Sequence, residues 1–292
     1  MPTRCAPFAP IEKFAIQICL VNGIDAMSLI SFLTPAYNNP RLLMRAVLSL
    51  QLQSCPDWEM VVAPDDGHDY RGLLAAMDSR ISFAPANGAV RSGPGAARNR
   101  ALLCAKGDFV ACLDENDMLA PNFVEAVSKA LQSYSVVTVP SAYITNAGEE
   151  LRTIGAYLDC MDIAEFAEQY GIMHTISHRS KARPWTNSFA QDVVHTCAAI
   201  DNSYGELPVV RSTTYIVSTS EWSDSADKLV TDEQYANLSY SHFDNMTASA
   251  AQATRSLFEK RLAMSIQFAH REDRYVGYHE FVAAQQMTPC FI

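Results

Sequence analysis

The stretch Asp108-Phe-Val-Ala-Cys-Leu-Asp114-Glu-Asn-Asp117-Met-Leu-Ala-Pro121 constrains this chain more than any other. Its apolar run, Phe109 to Leu113, is long enough for a strand buried on both faces and too short for a helix. The run leads directly into Asp114, Glu115, Asn116 and Asp117, three carboxylates and an amide at the point where a strand leaves the core. In open α/β sheets ligands bind beyond the carboxyl ends of parallel strands, which would put these acids at the mouth of a site. Like charges this close repel, and burying them is costly unless a cation or ligand donors offset them. A hard divalent ion, Mg2+ or Mn2+, bound to oxygens while also holding a phosphate, meets that need. The same residues also fit a solvated acidic turn that caps a helix starting near Pro121.

The surrounding pattern alternates strands with helices. Leu29–Thr34 reads as a first strand and ends in the turn formers Pro35-Ala-Tyr37-Asn38-Asn39-Pro40. A helix over 41–53 follows, with Leu42, Leu43, Ala46, Val47 and Leu50 on one face. A second strand, Glu59–Ala63, also ends in acids, Asp65, Asp66 and Asp69 around Gly67. A short helix (71–78) and a strand, Ile81–Phe83, lead to a loop with Asn87-Gly88 and Ser92-Gly-Pro-Gly95. That loop opens a helix over 95–105 carrying Arg98-Asn99 in its first turn. The organising strand and a helix over 121–133 complete a parallel α/β unit.

The later half is less regular. A strand over 134–145 with a hairpin turn at Asn146-Ala-Gly148 is expected, then helices over 155–171 and 189–199, and a strand over Val209–Ser218. The segment 172–191, holding His174, His178, Arg179, Lys181, Arg183 and Trp185, is the most basic part of the chain. Residues 221–250 carry no clear pattern. A helix over 250–271 would pack Leu257, Phe258, Leu262, Ile266 and Ala269 on the body, with Phe268 at the edge, and a Tyr/Phe-bearing segment over 275–286 closes the chain. Residues 1–28 read as a loosely attached extension, with Met27 as the structural start.

At 292 residues, 49% hydrophobic and 18% charged, the composition is that of a globular core. A net charge of -10 and a pI near 5.1 argue against a nucleic-acid surface. No apolar run approaches the length of a spanning helix, so no transmembrane segment is expected, with peripheral membrane contact left open. Eight scattered cysteines without C-x-x-C or zinc spacing read as reduced core thiols of a cytoplasmic protein.

Three pieces in order, Phe32-Leu-Thr-Pro35-Ala-Tyr37-Asn38, Ala96-Ala-Arg98-Asn99 and Phe109 through Pro121, resemble the family 2 glycosyltransferases of the GT-A fold. The match covers about 29–135. The resemblance implies a Rossmann-like mixed sheet sandwiched by helices, with a nucleotide-binding half (29–134), an acceptor half (135–225) and a helical C-terminal segment (226–292). It implies a transferase that takes a sugar from a nucleotide-diphosphate donor, UDP-linked by family habit, and passes it to a glycan, lipid-linked or small-molecule acceptor. Pro35, Tyr37, Asn38, Asp65, Asp66, Arg98, Asp114 and Glu115 would bind the donor, and a divalent metal would sit on Asp114, Asn116 and Asp117. The chain departs from the family at Asn116, where a carboxylate is usual. Either Asp114 and Asp117 share the ion, or metal binding is weak.

Inverting members carry a general base in an acidic pair that opens a later helix. Here Gln191-Asp192 fits, with Asp192 as base, although an acid at that place also favours a helix N-terminus through the dipole. His195 one turn on could position a group or replace the base, His174 and His178 at i and i+4 could ligate a metal or face the acceptor, and Trp185 could stack on a sugar. A sugar nucleotidyltransferase would carry a Gly-rich basic loop after strand one, where this chain has Pro35-Ala-Tyr37-Asn38. A catalytically silent nucleotide-sugar-binding protein is the other rival, made plausible by Asn116.

Overall fold

In the computed structural model, residues 28–219 apart from 75, 146 and 188, together with 243, 245–270 and 277–287, are described. The expected extension over 1–28, apart from residue 28, and most of the unpatterned stretch 221–250 lie outside the described residues. Each apolar run bounded by turn formers in the first half becomes a strand: β1 (Ile30–Ala36), β2 (Trp58–Pro64), β3 (Ile81–Phe83) and β4 (Phe109–Cys112). All four are parallel, with β2 and β4 flanking β1. The register sets Ala36 opposite Pro64 and Leu33 opposite Cys112, so the residues that follow β1, β2 and β4 emerge together.

Side chains alternate between two apolar layers. Ile30, Phe32, Met60 and Val62 join Leu43, Val47 and Leu50 of α1 (Pro40–Gln51) and Phe123 and Val127 of α4 (Phe123–Leu131). Leu33, Val61 and Val110 face the other way, onto Ala97 and Ala101 of α3 (Pro94–Cys104). Each fully buried Leu or Phe contributes about 1.5–3 kcal/mol. The helix between β2 and β3, α2, is a single turn, Arg71–Leu74, shorter than expected.

Beyond α4 the chain departs from the sequence reading. The expected 134–145 strand is two strands in two sheets, β6 (Val136–Thr138) in the main sheet and β7 (Ser141–Ile144) in a second one, while the expected hairpin forms as β7 pairs antiparallel with residues 150–154. Pro140 lies between β6 and β7 and cannot donate to a ladder, which is where the chain leaves one sheet for the other. The second sheet runs β5 (Met118–Leu119), β12 (Tyr215–Ser218), β7, β8 (Glu150–Ile154). The segment 155–171 is not one helix. It opens on Gly155 at φ 74, passes through β9 (Cys160–Met161), and only α5 (Ile163–Glu168) is helical, started by a reciprocal capping box between Asp162 and Glu165. The expected strand at Val209–Ser218 shortens to β12, while β11 (Leu207–Pro208) pairs with β9.

The basic segment contains β10 (Thr175–His178), which inserts antiparallel between β4 and β6 and completes the order β3-β2-β1-β4-β10-β6. α6 (Gln191–Asn202), α5 and α7 (Ala248–Ala269) close a third apolar cluster around Phe166, Val193, Ile200, Leu207 and Leu257. The face of α7 differs from the expected one: Ile266 is 44% exposed and Ala269 is exposed, while Ala250, Ala251, Thr254, Ser265 and Phe268 are buried with Leu257 and Phe258. Burial of the two hydroxyls is tolerated because Thr254 donates to the Ala250 carbonyl (2.8 Å) and Ser265 to that of Arg261 (2.9 Å). The last helix, α8 (Tyr278–Met287), packs against β8.

Candidate active site

The acidic run occupies the tight turn between β4 of the main sheet and β5 of the second, closed by the Asp117 N–H donating to the Asp114 carbonyl (3.0 Å). It therefore stands where two sheets meet, at the carboxyl edge the sequence indicated. Each acid is held by a different part of the chain. Asp117 is buried; its Oδ2 accepts from the Tyr215 hydroxyl (2.9 Å) and its Oδ1 from the Ser218 N–H (3.0 Å). The same Tyr215 hydroxyl accepts the Asp114 N–H at 3.1 Å. Glu115 accepts the N–H of Tyr37 (2.9 Å). Asn116 lies half-buried in the turn.

Arg98, 2% exposed, pairs with Asp114 Oδ1 and donates to Gln191 Oε1 at 2.8 Å. Burial opposes ionisation of Asp114, yet the Arg98 guanidinium beside it holds its carboxyl below the usual range. Burial pushes Asp117 up to about 8, and the Asp114 charge adds to it. Glu115 also rises to about 8, through burial and then Asp114 and Asp66. The turn thus carries one firmly charged carboxylate and two whose charge the fold penalises. Under Arg98, burial pushes the Cys112 thiol up to about 12, which makes it an inert packing group.

His174 joins this cluster through register. Ile176 faces Ala111 across an antiparallel ladder, so stepping back along β10 means stepping forward along β4, toward Leu113 and Asp114. The result is that Asp114, Asp117 and His174 present ligand atoms all within 4.8 Å of one another. His174 is 6% exposed, its ring lies 4.7 Å from that of Tyr215, and its Nε2 is buried with no hydrogen-bond partner. Burial lowers its pKa and leaves it a neutral imidazole. Two carboxylates and an unpartnered imidazole nitrogen are a donor set that fits a divalent cation. His178, four residues on, closes β10, edge-on to Phe109 and bonded to Ser180 (2.7 Å), so the His174–His178 pair does not form one ligand set.

The remaining expected residues divide. Pro35 ends β1 with Ala36, and Asn38 (φ 56) directs its N–H to Asp66 Oδ2 at 2.7 Å, which also accepts from the Tyr70 hydroxyl at 2.5 Å. Asp65 is buried and holds the following loop: Ser92 (2.5 Å), the Gly93 N–H (2.9 Å) and Arg100 (3.2 Å) all donate to it. Both acids after β2 are therefore engaged by protein donors. Beside them an open cleft of about 250 Å3 is lined by Asn38, Pro40, His68, Asp69, Tyr70 and Leu73.

Asp192 lies half-buried in the first turn of α6, after Ala190 in a left-handed conformation (φ 51), and its carboxylate accepts the Val193 N–H (2.8 Å). Its charge acts on Arg98 and His174, so it borders the same cluster. Trp185 is not an exposed sugar platform: it is 6% exposed, exchanges two 2.8 Å hydrogen bonds with Asn99, and lies flat on the His195 ring at 4.1 Å. Burial, aided by Arg98, pulls His195 down to about 3, which leaves it neutral. The sequence reading missed Tyr215, the bond from Arg98 to Gln191 and the placement of His174; the pairing of β12 and β10 brings Tyr215 and His174 to the turn, and α6 carries Gln191.

A family profile described as Glycosyl transferase family 2 matches residues 31–201. The UDP-Glc:alpha-D-GlcNAc-diphosphoundecaprenol beta-1,3-glucosyltransferase WfgD of Escherichia coli is 34% identical over 99 residues, 33% of this chain and 38% of that one, so the chain spans little more than a third of that relative. Among solved structures, S. aureus TarS (residues 1–349) in complex with UDP-GlcNAc superposes with a TM-score of 0.65 at 15% identity, covering 85% of this chain and 77% of TarS. GalNAc-T7 with UDP, GalNAc and Mn2+ superposes at 0.50 and 12% identity, over 67% and 44% of the two chains. These likenesses agree with the GT-A fold expected from the sequence.

Proposed function

This chain belongs to glycosyl transferase family 2, and from that premise we propose that it transfers a sugar from a UDP-linked donor to an acceptor hydroxyl with inversion. One observation supports the reading: the ends of β1, β2 and β4 meet Arg98 at a single acidic turn, and Arg98 bonds Gln191, the neighbour of Asp192 in the first turn of α6. Pro35, Tyr37, Asn38, Asp65 and Asp66 shape the nucleotide side, next to the cleft at Tyr70. Asp114, with Asn116 and Asp117 beside it, is where a divalent Mg2+ or Mn2+ would be held, and that ion would supply a Lewis acid for the diphosphate. Asp192 takes the acceptor proton as the hydroxyl oxygen attacks the anomeric carbon and the diphosphate departs. Arg98 fixes Asp114 and adds positive potential where charge develops on the leaving group.

The acceptor half is built from the second sheet and α6. By analogy with WfgD, a diphospholipid-linked sugar is the acceptor class to try first. Such an acceptor requires contact with a membrane surface; no helix among the described residues is long and apolar enough to cross one. The rival reading, a silent nucleotide-sugar binder, draws on Asn116. Release of UDP from a panel of UDP-sugars, with and without acceptor, separates the two. Asp192→Ala should abolish turnover while UDP affinity stays within about threefold, less than 1 kcal/mol. Full turnover in that variant would overturn the assignment of the base, and no UDP release from any donor in the parent chain would favour the binder.

A further inference from the structure

Resting on the transferase reading above, we propose that His174 is a direct ligand of the divalent ion and fills the coordination role that Asn116 leaves open. Three independent features lead there. The β4–β10 register brings His174 beside the end of β4, although it is 60 residues from Asp114. Its ring nitrogen lies within 4.8 Å of carboxylate oxygens of both Asp114 and Asp117. Its Nε2 is sealed from solvent without a partner in a residue only 6% exposed, and such buried polar atoms are rare unless something absent from the chain satisfies them.

The surroundings fix the ring for this task. Thr138 Oγ1 donates to the His174 carbonyl at 2.9 Å, and the Tyr215 ring packs against the imidazole at 4.7 Å. The Tyr215 hydroxyl also donates to the Asp117 carboxylate and accepts the Asp114 backbone N–H, so one side chain touches all three residues. Replacing a carboxylate by a neutral imidazole changes which ion the site prefers. Mg2+ binds proteins almost only through oxygens and gives up its waters reluctantly, whereas later divalent metals accept imidazole readily. The site should therefore favour Mn2+ over Mg2+.

Pulsed EPR of Mn2+ bound to the full chain with UDP tests this directly, because a coordinated imidazole imprints a nitrogen coupling on the Mn2+ echo. The coupling should change on labelling the chain with 15N-histidine, survive His195→Gln and vanish in His174→Gln. Mn2+ affinity in His174→Gln should fall roughly tenfold or more, with Mg2+ affinity little changed, and adding Asn116→Asp should restore it. Mn2+ that binds the parent chain with UDP but shows no histidine coupling overturns the proposal and leaves the metal reading intact. Failure of Mn2+ to bind the parent chain at all overturns both. Neither outcome depends on the folding of a variant.

Discussion

The strands before α4 and those after it are built on opposite plans. Up to β4, neighbours in the sheet are neighbours in the chain or one crossover away, in the order β3-β2-β1-β4. After α4 the chain distributes short strands over three sheets, and β10 and β12 return from far along the sequence to lie beside β4 and β5. The early plan presents acids and backbone N–H groups at one edge. The later plan clamps them, with Tyr215 and Ser218 on Asp117, Gln191 on Arg98, and His174 facing both acids. A locally wound half can offer charges, but holding them close together takes a second half that comes from elsewhere in the chain.

Arg98 is the strongest point at which to break this division. It lies on α3 of the early half and bonds both Asp114 and α6 of the later half. Arg98→Met should destabilise the fold by about 3–5 kcal/mol in urea denaturation, because it leaves a buried carboxylate cluster without its cation. A loss under about 1 kcal/mol would mean that the acids are solvated or protonated and do not depend on it. Next in size, Leu33→Ala in the early core and Leu207→Ala in the later one should each cost about 2–5 kcal/mol, with one cooperative transition retained in both. Two resolved transitions in Leu207→Ala would show that the halves unfold separately.

Acid provides the smallest and most selective comparison. His195 and His279, both in the later half, are each pulled down to about 3 by burial. A histidine whose folded pKa lies below its unfolded value of about 6.5 binds fewer protons folded than unfolded between those limits. The contribution of each ring is therefore intact above pH 6.5 and declines as pH falls toward 3, by at most about 1.4 kcal/mol per pH unit. Asp117 and Glu115, raised to about 8, add stability over the same fall in pH and offset this globally. The readout is therefore local: going from pH 7 to 5 should expose α6 and α8 amides to hydrogen exchange before those of β1 and β2. Equal loss of protection in both halves would contradict it.

The same contrast explains what could be read from the sequence. β1, β2 and β4 were visible because both faces are buried and the runs are mostly apolar, and the Arg98 and Asp114 motifs lie within thirty residues of each other. β10 was not visible: Thr175-Ile-Ser-His178 shows no apolar run, and its strand character comes from pairing on both sides rather than from its own composition. His174 was legible as a residue but not as a site, since its relation to Asp114 is set by register. Trp185 illustrates the opposite error, an aromatic in a basic segment whose hydrogen bonds to Asn99 fold it inward. The face of α7 was misjudged because Thr254 and Ser265 could not be counted as core residues before their bonds to the preceding turn were known.

Calorimetric titration of UDP into the full chain, with Mn2+ and then with the ion chelated, tests most directly whether the acidic turn holds an ion against the diphosphate. Affinity for UDP should be roughly tenfold or more higher with Mn2+, a gain of about 1.4 kcal/mol or more, and the gain should disappear in Asp114→Asn. Equal UDP affinity with and without the ion in the parent chain would contradict it.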